Sequence, residues 1–326
     1  MGEKNQYSKK EAISLINKKT GKKKISIFFD IIKCANKYKS NPKDYIVFEM
    51  YKLNDKQRAT IITNGINNKL IKKNNNDTTV FDNKIDFNKK FHKYLLRDWL
   101  SLNDYNEFID FTKKHSTIIA KTANHDSEVE EITINEKNSK KIYNKLQEEQ
   151  KVLIEEKATQ CKELASLNPS SLNTMKIITI NNKIVAAYLI VGNSKDINNQ
   201  NKEKELIAPI NIETGIIDYP ATNNEGKVFE RHPITSELIL WFQIPKWPRI
   251  VRYIERISRE VSDANYICWN ICLGEKDPFI ISATAKPNHY LYQLPAHRAN
   301  DTGLLPIFEE AMNRKEENED ENSYSN

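Results

Sequence analysis

The sequence lacks the features that would carry a protein into or across a membrane. None of its apolar runs approaches the roughly 18 residues that a transmembrane helix needs. The start, MGEKNQYSKK, has no apolar segment typical of a secretory signal. The formal charge of +6 is dispersed, and the one basic run, Lys22–Lys24, has no interleaved aromatic residues of the kind that bind single-stranded nucleic acid. We expect a cytoplasmic protein with no transmembrane segment and no nucleic-acid partner.

Cysteine is also scarce, with four residues at Cys34, Cys161, Cys268 and Cys272. Cys268 and Cys272 are the only two that are close in sequence, and they lie in a predicted strand. Residues four apart on a strand are about 13 Å apart, which is too far for a disulfide. We therefore expect four buried, reduced thiols.

Glycine is missing from one turn where a phosphate site would need it. The apolar run Thr117–Ala120 ends in Lys121, and a strand that ends in lysine is typical of sites that present an ammonium group to a phosphate. The turn that follows, Thr122–Val129, contains no glycine, although close approach of the backbone to a phosphate usually requires one. Lys121 alone is therefore a weak indication of a nucleotide site.

A buried hairpin is the clearest pattern that the sequence does contain. Two apolar runs, Ile267–Leu273 and Pro278–Ala283, flank the polar segment Gly274–Asp277. Paired carboxylates on the adjacent strands of such a hairpin can hold a divalent cation for phosphoryl transfer. The side chains in the corresponding places here are neutral: Asn270, Ser282 and Thr284.

Two segments in the first 60 residues have alternative interpretations. Residues 25–40 form an amphipathic pattern with Ile25, Phe28, Phe29 and Ile32 at helical spacing. We expect this face to pack against the rest of the protein, and the alternative is contact with a membrane surface. The segment Asp44–Leu53 is predicted to be a strand or another buried segment.

The remaining patterns alternate between strands and helices. The pair Asn181-Asn182 predicts a tight hairpin. Pro248 is suited to the first turn of a helix whose apolar face includes Ile250 and Ile254. Hairpins mixed with helices, without an internal repeat, predict an α+β protein with antiparallel sheets.

Three segments together resemble one known family. They are EEKATQCKELASLNPSSLNTMKIITI, HPITSELILWFQIPKWPRIVRYI and YICWNICLGEKDPFIISATAKPNHYLYQ. These segments are similar to the ATP-grasp proteins linked to sugar transfer and cell-surface polysaccharide clusters, also described as alpha-L-glutamate ligase-related. With DYIVFEMYKLNDKQRATI and VFDNKIDFNKKFHKYLLRDWL upstream, the resemblance covers residues 25–312.

The resemblance implies an ATP-grasp fold, in which two α+β lobes with antiparallel sheets clamp a nucleotide and a small N-terminal lobe precedes them. It implies an N-terminal helical or α+β lobe at 25–115 and an ATP-grasp domain at 116–312. From composition we expect a polar segment at 1–24 and a disordered acidic tail at 313–326. The implied activity is that of an ATP-dependent carboxylate–amine (or similar) ligase. Its cofactors would be ATP and Mg²⁺, and its substrate a carboxylate- or amine-bearing sugar or peptide intermediate.

Site residues follow from the resemblance position by position. Lys84 and Lys121 match the family's two nucleotide lysines, and Glu155 with Glu156 matches the hinge that meets adenine and ribose. Lys176, the implied catalytic residue, stands where an arginine is usual, so the charge is kept and the bidentate fork is lost. The family's metal-binding aspartate and Glu-Gly-Asn are replaced by neutral residues, which weakens Mg²⁺ binding: Asn270, Ser282 and Thr284.

Two functions stay open at this point. The first is an active ligase whose metal site is rebuilt from other acids, such as Glu155, Glu156 or Asp277. The second is a catalytically degenerate protein that binds a nucleotide or a partner without turnover. Outside these positions, His232 is expected to be a structural hydrogen-bond donor, and Gln293 either marks the exit of the family's site or is a surface glutamine.

Overall fold

The computed structural model describes residues 7–124, 129–193 and 205–313. Its helices are α1 (Lys9–Thr20), α2 (Lys24–Tyr38), α3 (Pro42–Val47), α4 (Asp55–Arg58), α5 (Asn64–Asn74), α6 (Lys84–Lys90), α7 (His92–Leu95), α8 (Tyr105–Lys114), α9 (Ser139–Glu148), α10 (Lys162–Leu167) and α11 (Trp247–Ser258). Its strands are β1 (Trp99–Ser101), β2 (Thr117–Lys121), β3 (Glu130–Thr133), β4 (Leu153–Glu156), β5 (Thr174–Ile180), β6 (Lys183–Val191), β7 (Leu206–Pro209), β8 (Ala221–Thr222), β9 (Val228–Phe229), β10 (Tyr266–Leu273) and β11 (Pro278–Thr284). The predicted acidic tail lies outside the described residues, except for residue 313.

Residues 7–61, called here the N-terminal unit, form a helical bundle with its own apolar core. α1 begins with a capping box: the side chain of Ser8 accepts from the amide of Glu11, and the side chain of Glu11 accepts from the amide of Ser8. α3 begins in the same way at Asn41, with Pro42 in its first turn. The segment Asp44–Leu53 is buried as expected, but it folds as α3 and a short 3-10 helix rather than as a strand.

The helix predicted from Ile25 exists as α2, but the prediction of its buried face is wrong. The buried side chains of α2 are Ile27, Ile31, Cys34 and Tyr38, and they pack against α1 and the segment around Phe48. The predicted face is exposed instead: Ile25 is 60% exposed, Phe28 36% and Phe29 62%. Both sets of residues have helical spacing, and the position of α1 and α3 decides which one is covered.

A four-stranded antiparallel sheet, the small sheet, follows in the order β1-β4-β2-β3. α8 and α9 cover one of its faces, where Phe108 and Leu146 pack on Ile118, Ala120 and Ile154. The strand predicted to end at Lys121 is β2. Because side chains alternate along a strand, Lys121 and Glu155 lie on the face that α8 and α9 leave uncovered.

A seven-stranded antiparallel sheet, the large sheet, has the order β11-β10-β5-β6-β7-β8-β9. Asn181 and Asn182 join β5 to β6 with φ values of 49° and 63°, as the predicted tight hairpin requires. The hairpin predicted around Gly274–Asp277 is β10–β11, with a register shift after Asn270. α11 packs its buried Ile250, Ile254 and Ile257 against this sheet.

Residues 285–313, called here the C-terminal segment, tie the large sheet to the N-terminal unit. The side chain of Gln293 is fully buried, so its interpretation as a surface residue is wrong. It donates to the carbonyl of Ile62 at 2.6 Å and accepts from the amide of Ile62 at 3.0 Å. His289 contacts Asp44 at 3.0 Å, and Arg298 donates to the carbonyl of Phe48 at 3.0 Å.

The four cysteines are free and buried, as predicted. Burial raises the pKa of Cys272 to about 12 and that of Cys34 to about 11, because a thiolate is poorly solvated in the core. These thiols are therefore protonated at neutral pH. Among the helices of the described ranges, none is both long and apolar enough to cross a bilayer.

Candidate nucleotide site

The small and large sheets meet where β4 approaches the β10–β11 hairpin. A cavity of about 280 Å³ lies at this junction and is lined by residues 96–97, 156–159, 274–277 and 279. The amide of Cys161 donates to the carbonyl of Leu273 at 2.8 Å, which holds the chain after β4 against the hairpin. The volume is close to the lower end, ~300 Å³, of small-molecule sites. The predicted hinge residue Glu156 therefore borders a space between the two sheets.

Lys121 and Glu155 form a buried ion pair on the uncovered face of the small sheet. β2 and β4 are antiparallel neighbours, with Ile119 opposite Glu155 and Lys121 opposite Leu153. Lys121 and Glu155 are thus diagonal neighbours, close enough for a direct contact, and the ammonium donates to Oε2 of Glu155. Their side chains are only 12% and 3% exposed. The structure brings together two of the residues predicted for the nucleotide site.

Arg97 joins this pair and also reaches the large sheet. Its Nη2 donates to Oε1 of Glu155 at 2.8 Å, and its Nη1 donates to the carbonyl of Ile280 on β11 at 2.5 Å. Asn88 of α6 donates to the same Oε1 of Glu155 at 2.8 Å. Since the Arg97 side chain is 4% exposed, it forms a buried bridge between β4 and β11.

The environment of Glu155 keeps this carboxyl ionised. Burial alone would raise its pKa, because a carboxylate is poorly solvated away from water. The charges of Lys121 and Arg97 and their hydrogen bonds outweigh that effect and lower the pKa to about 2. Glu155 is consequently an anion held between two cations, with both of its carboxylate oxygens engaged in these contacts.

Lys84, the first residue of α6, contacts the turn that follows Lys121. Its ammonium donates to the carbonyl of Asn124 at 2.6 Å and to that of Thr122 at 3.3 Å. Its backbone amide donates to the carbonyl of Ala123 at 2.8 Å. Lys84 therefore fixes the first residues of this glycine-free turn. Residues 125–128, the middle of the turn, lie outside the described residues.

Three neighbouring strands at one edge of the large sheet, β5, β10 and β11, present Lys176, Asn270 and Ser282 side by side. Asn270 of β10 is opposite Lys176 of β5 on one side and opposite Ser282 of β11 on the other. Nδ2 of Asn270 donates to Oγ of Ser282 at 3.4 Å. Oδ1 of Asn270 is buried and has no hydrogen-bond partner among the described residues. Thr284 lies one pleat beyond Ser282 and accepts from the amide of Lys286 at 3.1 Å.

The side-chain oxygens at the three predicted metal positions do not fit a Mg²⁺ ion. Mg²⁺ in proteins is usually held by one or two carboxylates, and the three predicted metal positions supply only neutral oxygens next to a lysine: Asn270, Ser282 and Thr284. The unpartnered Oδ1 of Asn270 is a single neutral ligand atom. The assignment of these positions to a metal stays a prediction that the chemistry of the side chains disfavours.

The acids proposed for a rebuilt metal site are engaged elsewhere. Glu155 is held by Arg97 and Lys121, and Asp277 forms an ion pair with Arg249. Asp277 also precedes Ser282 by five residues along β11, on the order of 16 Å. Glu156 accepts from the amide of Asp98 at 3.0 Å.

One acid-containing cluster occurs near the hinge. Asp98, His115 and Glu156 each place one ligand atom so that the three atoms lie within 4.8 Å of one another. Asp98 is exposed, and acids with this exposure commonly cluster without an ion. The cluster includes none of the three predicted metal positions, so it does not restore the family's site.

The buried His232 has the structural role that its sequence position predicts. Its Nε2 lies 2.8 Å from the carbonyl of Gly192, and its Nδ1 accepts from the amide of Thr235 at 3.2 Å. Burial lowers its pKa, because the imidazolium would lose its hydration. A neutral ring that donates from Nε2 satisfies both contacts and links two loops of the large sheet.

Arg97 and Asn88, which complete the environment of Glu155, are not among the residues predicted from the sequence. Arg97 did carry a signal, since it is a lone arginine beside the apolar residues of LLRDWL. A buried arginine needs an anionic partner, but nothing in the local pattern identifies Glu155, 58 residues away, as that partner. Asn88 lies on a helix among ordinary polar residues and has no distinguishing signal.

The two antiparallel sheets that meet at this cavity match the α+β architecture expected of the ATP-grasp class. The chain belongs to the sugar-transfer associated ATP-grasp family, whose sequence model matches residues 109–312, more than half of the chain. The family and the fold predicted from the sequence are thereby confirmed. The resemblance of residues 25–108 and the domain boundaries at residues 24/25 and 115/116 stay predictions.

Several solved structures resemble the chain at low sequence identity. The ATP-grasp ligase PsnB, in complex with a phosphomimetic variant of its minimal precursor, Mg and ADP, has 13% identity and a TM-score of 0.44, over 72% of this chain and 58% of that one. D-alanine–D-alanine ligase from Bacillus anthracis has 12% identity and a TM-score of 0.45, over 77% of each chain. A RiPP-associated ATP-grasp ligase from Chryseobacterium gregarium has 14% identity and a TM-score of 0.40, over 74% of this chain and 66% of that one. The chain therefore spans less than two thirds of the length of PsnB. No protein with a curated description matches the sequence.

Proposed function

We propose that the protein binds an adenine nucleotide at the junction of the two sheets and uses ATP as a carboxylate–amine (or similar) ligase in cell-surface polysaccharide biosynthesis. The observation that carries this proposal is the cavity of about 280 Å³ bordered by Glu156 and Arg97, with the buried pair Lys121–Glu155 beside it. The base and ribose would occupy this cavity. The phosphates would extend toward Lys121, Lys84 and Lys176.

In the proposed reaction, a substrate carboxylate attacks the γ-phosphorus of ATP, and ADP leaves. An amine nitrogen then attacks the carbonyl carbon of the acylphosphate, and inorganic phosphate and a proton are released. Lys84 and Lys121 would bind phosphate oxygens as point charges. Lys176 would stabilise the charge that develops on the transferred group. Glu155 would act as a positioning residue, because its carboxylate orients Lys121.

The substrate class follows from the same chemistry. One reactant must carry a carboxylate and the other an amine or similar nucleophile, and both groups occur on sugar and peptide intermediates. We place the reaction in the cytoplasm, where ATP is available and where four reduced thiols are stable.

A second candidate function is nucleotide or partner binding without turnover. The neutral side chains of Asn270, Ser282 and Thr284 favour this alternative, because phosphoryl transfer in this fold needs the charge of the phosphates to be neutralised. Three lysines can bind a nucleotide electrostatically without supplying the geometry that a metal imposes. The two candidates therefore differ in turnover and in the effect of Mg²⁺.

Calorimetric titration of ATP and ADP, with and without Mg²⁺, tests nucleotide binding. We expect micromolar binding that is lost in Lys121→Ala and kept in Lys183→Ala, a control lysine that is exposed in the β5–β6 turn. Mg²⁺-dependent binding together with release of phosphate in the presence of carboxylate and amine substrates would support the ligase. Binding that is indifferent to Mg²⁺, with no phosphate released, would support the second candidate. Absence of binding at millimolar nucleotide would refute the ligase and would leave only the partner-binding form of the second candidate.

A further inference from the structure

The helix α2 exposes an apolar patch that no described part of the chain covers. Ile25, Phe28 and Phe29 are 60%, 36% and 62% exposed, and the two phenyl rings touch edge to face with centroids 5.5 Å apart. Of the other exposed large apolar side chains, four lie between Val228 and Trp241, in a strand and the loops after it, and none of these lies on a helix. Exposed apolar side chains that cluster on one helix commonly mark an interaction site.

The N-terminal unit that carries this patch is strongly basic. Residues 7–61 contain 14 lysine and arginine residues and 5 aspartate and glutamate residues, a formal charge of +9. Since the whole chain has a charge of +6, the remaining residues together carry −3. The positive charge is thus concentrated in the part of the molecule that exposes the apolar patch.

The lysines closest to the patch in sequence are exposed and directly precede it. Lys22, Lys23 and Lys24 lead into the first turn of α2, and no acidic side chain of the described residues forms an ion pair with them. The one acid of α2, Asp30, is held on another side of the helix by Arg58 at 2.8 Å. The face that carries Ile25, Phe28 and Phe29 is therefore flanked by positive charge and free of acidic residues from α2 itself.

A cavity of about 510 Å³ opens beside the same end of α2. Its lining includes Lys22, Lys23, Ser26 and the ion pair of Arg58 with Asp30. Lys22 donates to the carbonyl of Tyr51 at 2.8 Å, which keeps its ammonium at the edge of this cavity. Arg58 offsets the charge of Asp30, so Lys22 and Lys23 supply the net positive charge of this cavity and suit it to a phosphate-bearing headgroup.

We propose that α2 docks the protein on an anionic phospholipid bilayer. Ile25, Phe28 and Phe29 would enter the boundary between headgroups and acyl chains, and Lys22–Lys24 would contact lipid phosphates. A helix with apolar side chains on one face and lysines beside them is typical of binding in the interface plane. A patch of three side chains is much smaller than the interface of a stable dimer. The inference stands on the N-terminal unit alone and does not depend on the proposed ligase activity.

Co-sedimentation with vesicles tests this proposal. We expect the full chain to bind vesicles of phosphatidylglycerol and phosphatidylcholine in equal parts, and not vesicles of phosphatidylcholine alone. The double variant Phe28→Ser/Phe29→Ser should bind at least tenfold more weakly, and so should Lys23→Glu/Lys24→Glu. Trp241→Ser, a control at another exposed aromatic residue (64% exposed), should bind as the unchanged protein does.

Further measurements separate the alternatives. Thermal unfolding checks that the variants are folded, and Ile25→Lys repeats the test with one change at an exposed position. Absence of sedimentation with the anionic vesicles, or equal binding by the Phe28/Phe29 variant, would overturn the proposal. Sedimentation velocity would also overturn it if the unchanged chain is a dimer and the Phe28/Phe29 variant is a monomer. Tighter binding to single-stranded oligonucleotides than to the vesicles would overturn it as well.

Discussion

The two sides of the sheet junction differ in whether they contain a carboxylate. On the small-sheet side, Glu155, Lys121 and Arg97 form a buried network in which each charge has a partner. On the large-sheet side, Asn270 and Ser282 are neutral, and the Oδ1 of Asn270 is left without a partner among the described residues. The carboxylate of Glu155 therefore orients Lys121 and, through Arg97, holds the two sheets together. Its charge is not available to a metal ion.

Removing Arg97 should cause the largest loss of stability among the changes considered at this junction. Arg97→Met leaves Glu155 buried with one cation in place of two and removes the contact to the carbonyl of Ile280. We expect a loss of about 3–5 kcal/mol in the free energy of unfolding, measured with urea. The control is Arg249→Met, because the Arg249–Asp277 pair is largely exposed and should contribute less than about 1 kcal/mol. Similar losses in the two variants would mean that the bridge between the sheets is not structural.

Glu155→Gln tests the same network through its pH dependence. The unfolded carboxyl binds a proton near its ordinary pKa of 4.5, and the folded one keeps its charge down to about 2. The unfolded state thus binds more protons between these values, so stability is lost as the pH falls through this window. This contribution is on the order of 3 kcal/mol at neutral pH. The stability difference between the unchanged protein and the variant should narrow from pH 5 to pH 2, and a constant difference would argue against an ionised Glu155.

Asn270→Asp places a carboxylate on the large-sheet side, so that both sides of the junction contain an acid. An anionic oxygen next to Ser282 improves the site for a hard cation. We expect Mg²⁺ to increase the affinity for ADP at least tenfold in this variant, about 1.4 kcal/mol, in calorimetric titration. Asn265→Asp, just before the start of β10, is the matched control and should show no such increase. If Mg²⁺ has no effect in Asn270→Asp, the metal-binding role of this position is wrong for this chain.

Glu156→Gln should have the smallest effect on stability. The Glu156 side chain is 39% exposed, and its hydrogen bond in the structure is to the amide of Asp98, which a glutamine oxygen can also accept. We expect a change below about 1 kcal/mol in the free energy of unfolding. The affinity for ADP should nevertheless fall measurably, because Glu156 borders the cavity proposed for the base and ribose. A loss of stability as large as that of Glu155→Gln would contradict the division between a structural and a ligand-facing acid.

Local patterns predicted the elements of the fold well. The β10–β11 hairpin follows from two apolar runs around a polar turn, and the β5–β6 turn follows from two asparagines that tolerate positive φ. α11 follows from a proline in the first turn and a regular apolar face. In each case the residues that determine the structure are neighbours in sequence.

The features that were missed depend on residues far apart in sequence. α2 has two apolar faces of suitable spacing, and only the position of α1 and α3 decides that Ile27 and Ile31 are buried while Phe28 and Phe29 are not. The bridge from Arg97 to Glu155 and Ile280 likewise spans three separate elements. Resemblance to a family suggested the lysines and the hinge acids, whose roles stay predictions. It did not indicate that the Glu155 carboxylate is bound by Lys121, Arg97 and Asn88.

The attachment of the C-terminal segment has a consequence for how the protein is made. Gln293 binds the backbone of Ile62, 231 positions earlier. At ~5–20 residues per second, the ribosome needs on the order of ten seconds or more to reach Gln293 after it has made Ile62. During that interval the surface around Phe48 and Ile62 is uncovered in the nascent chain. These contacts therefore cannot form until the C-terminal segment has left the ribosome, and until then this surface is open to chaperones.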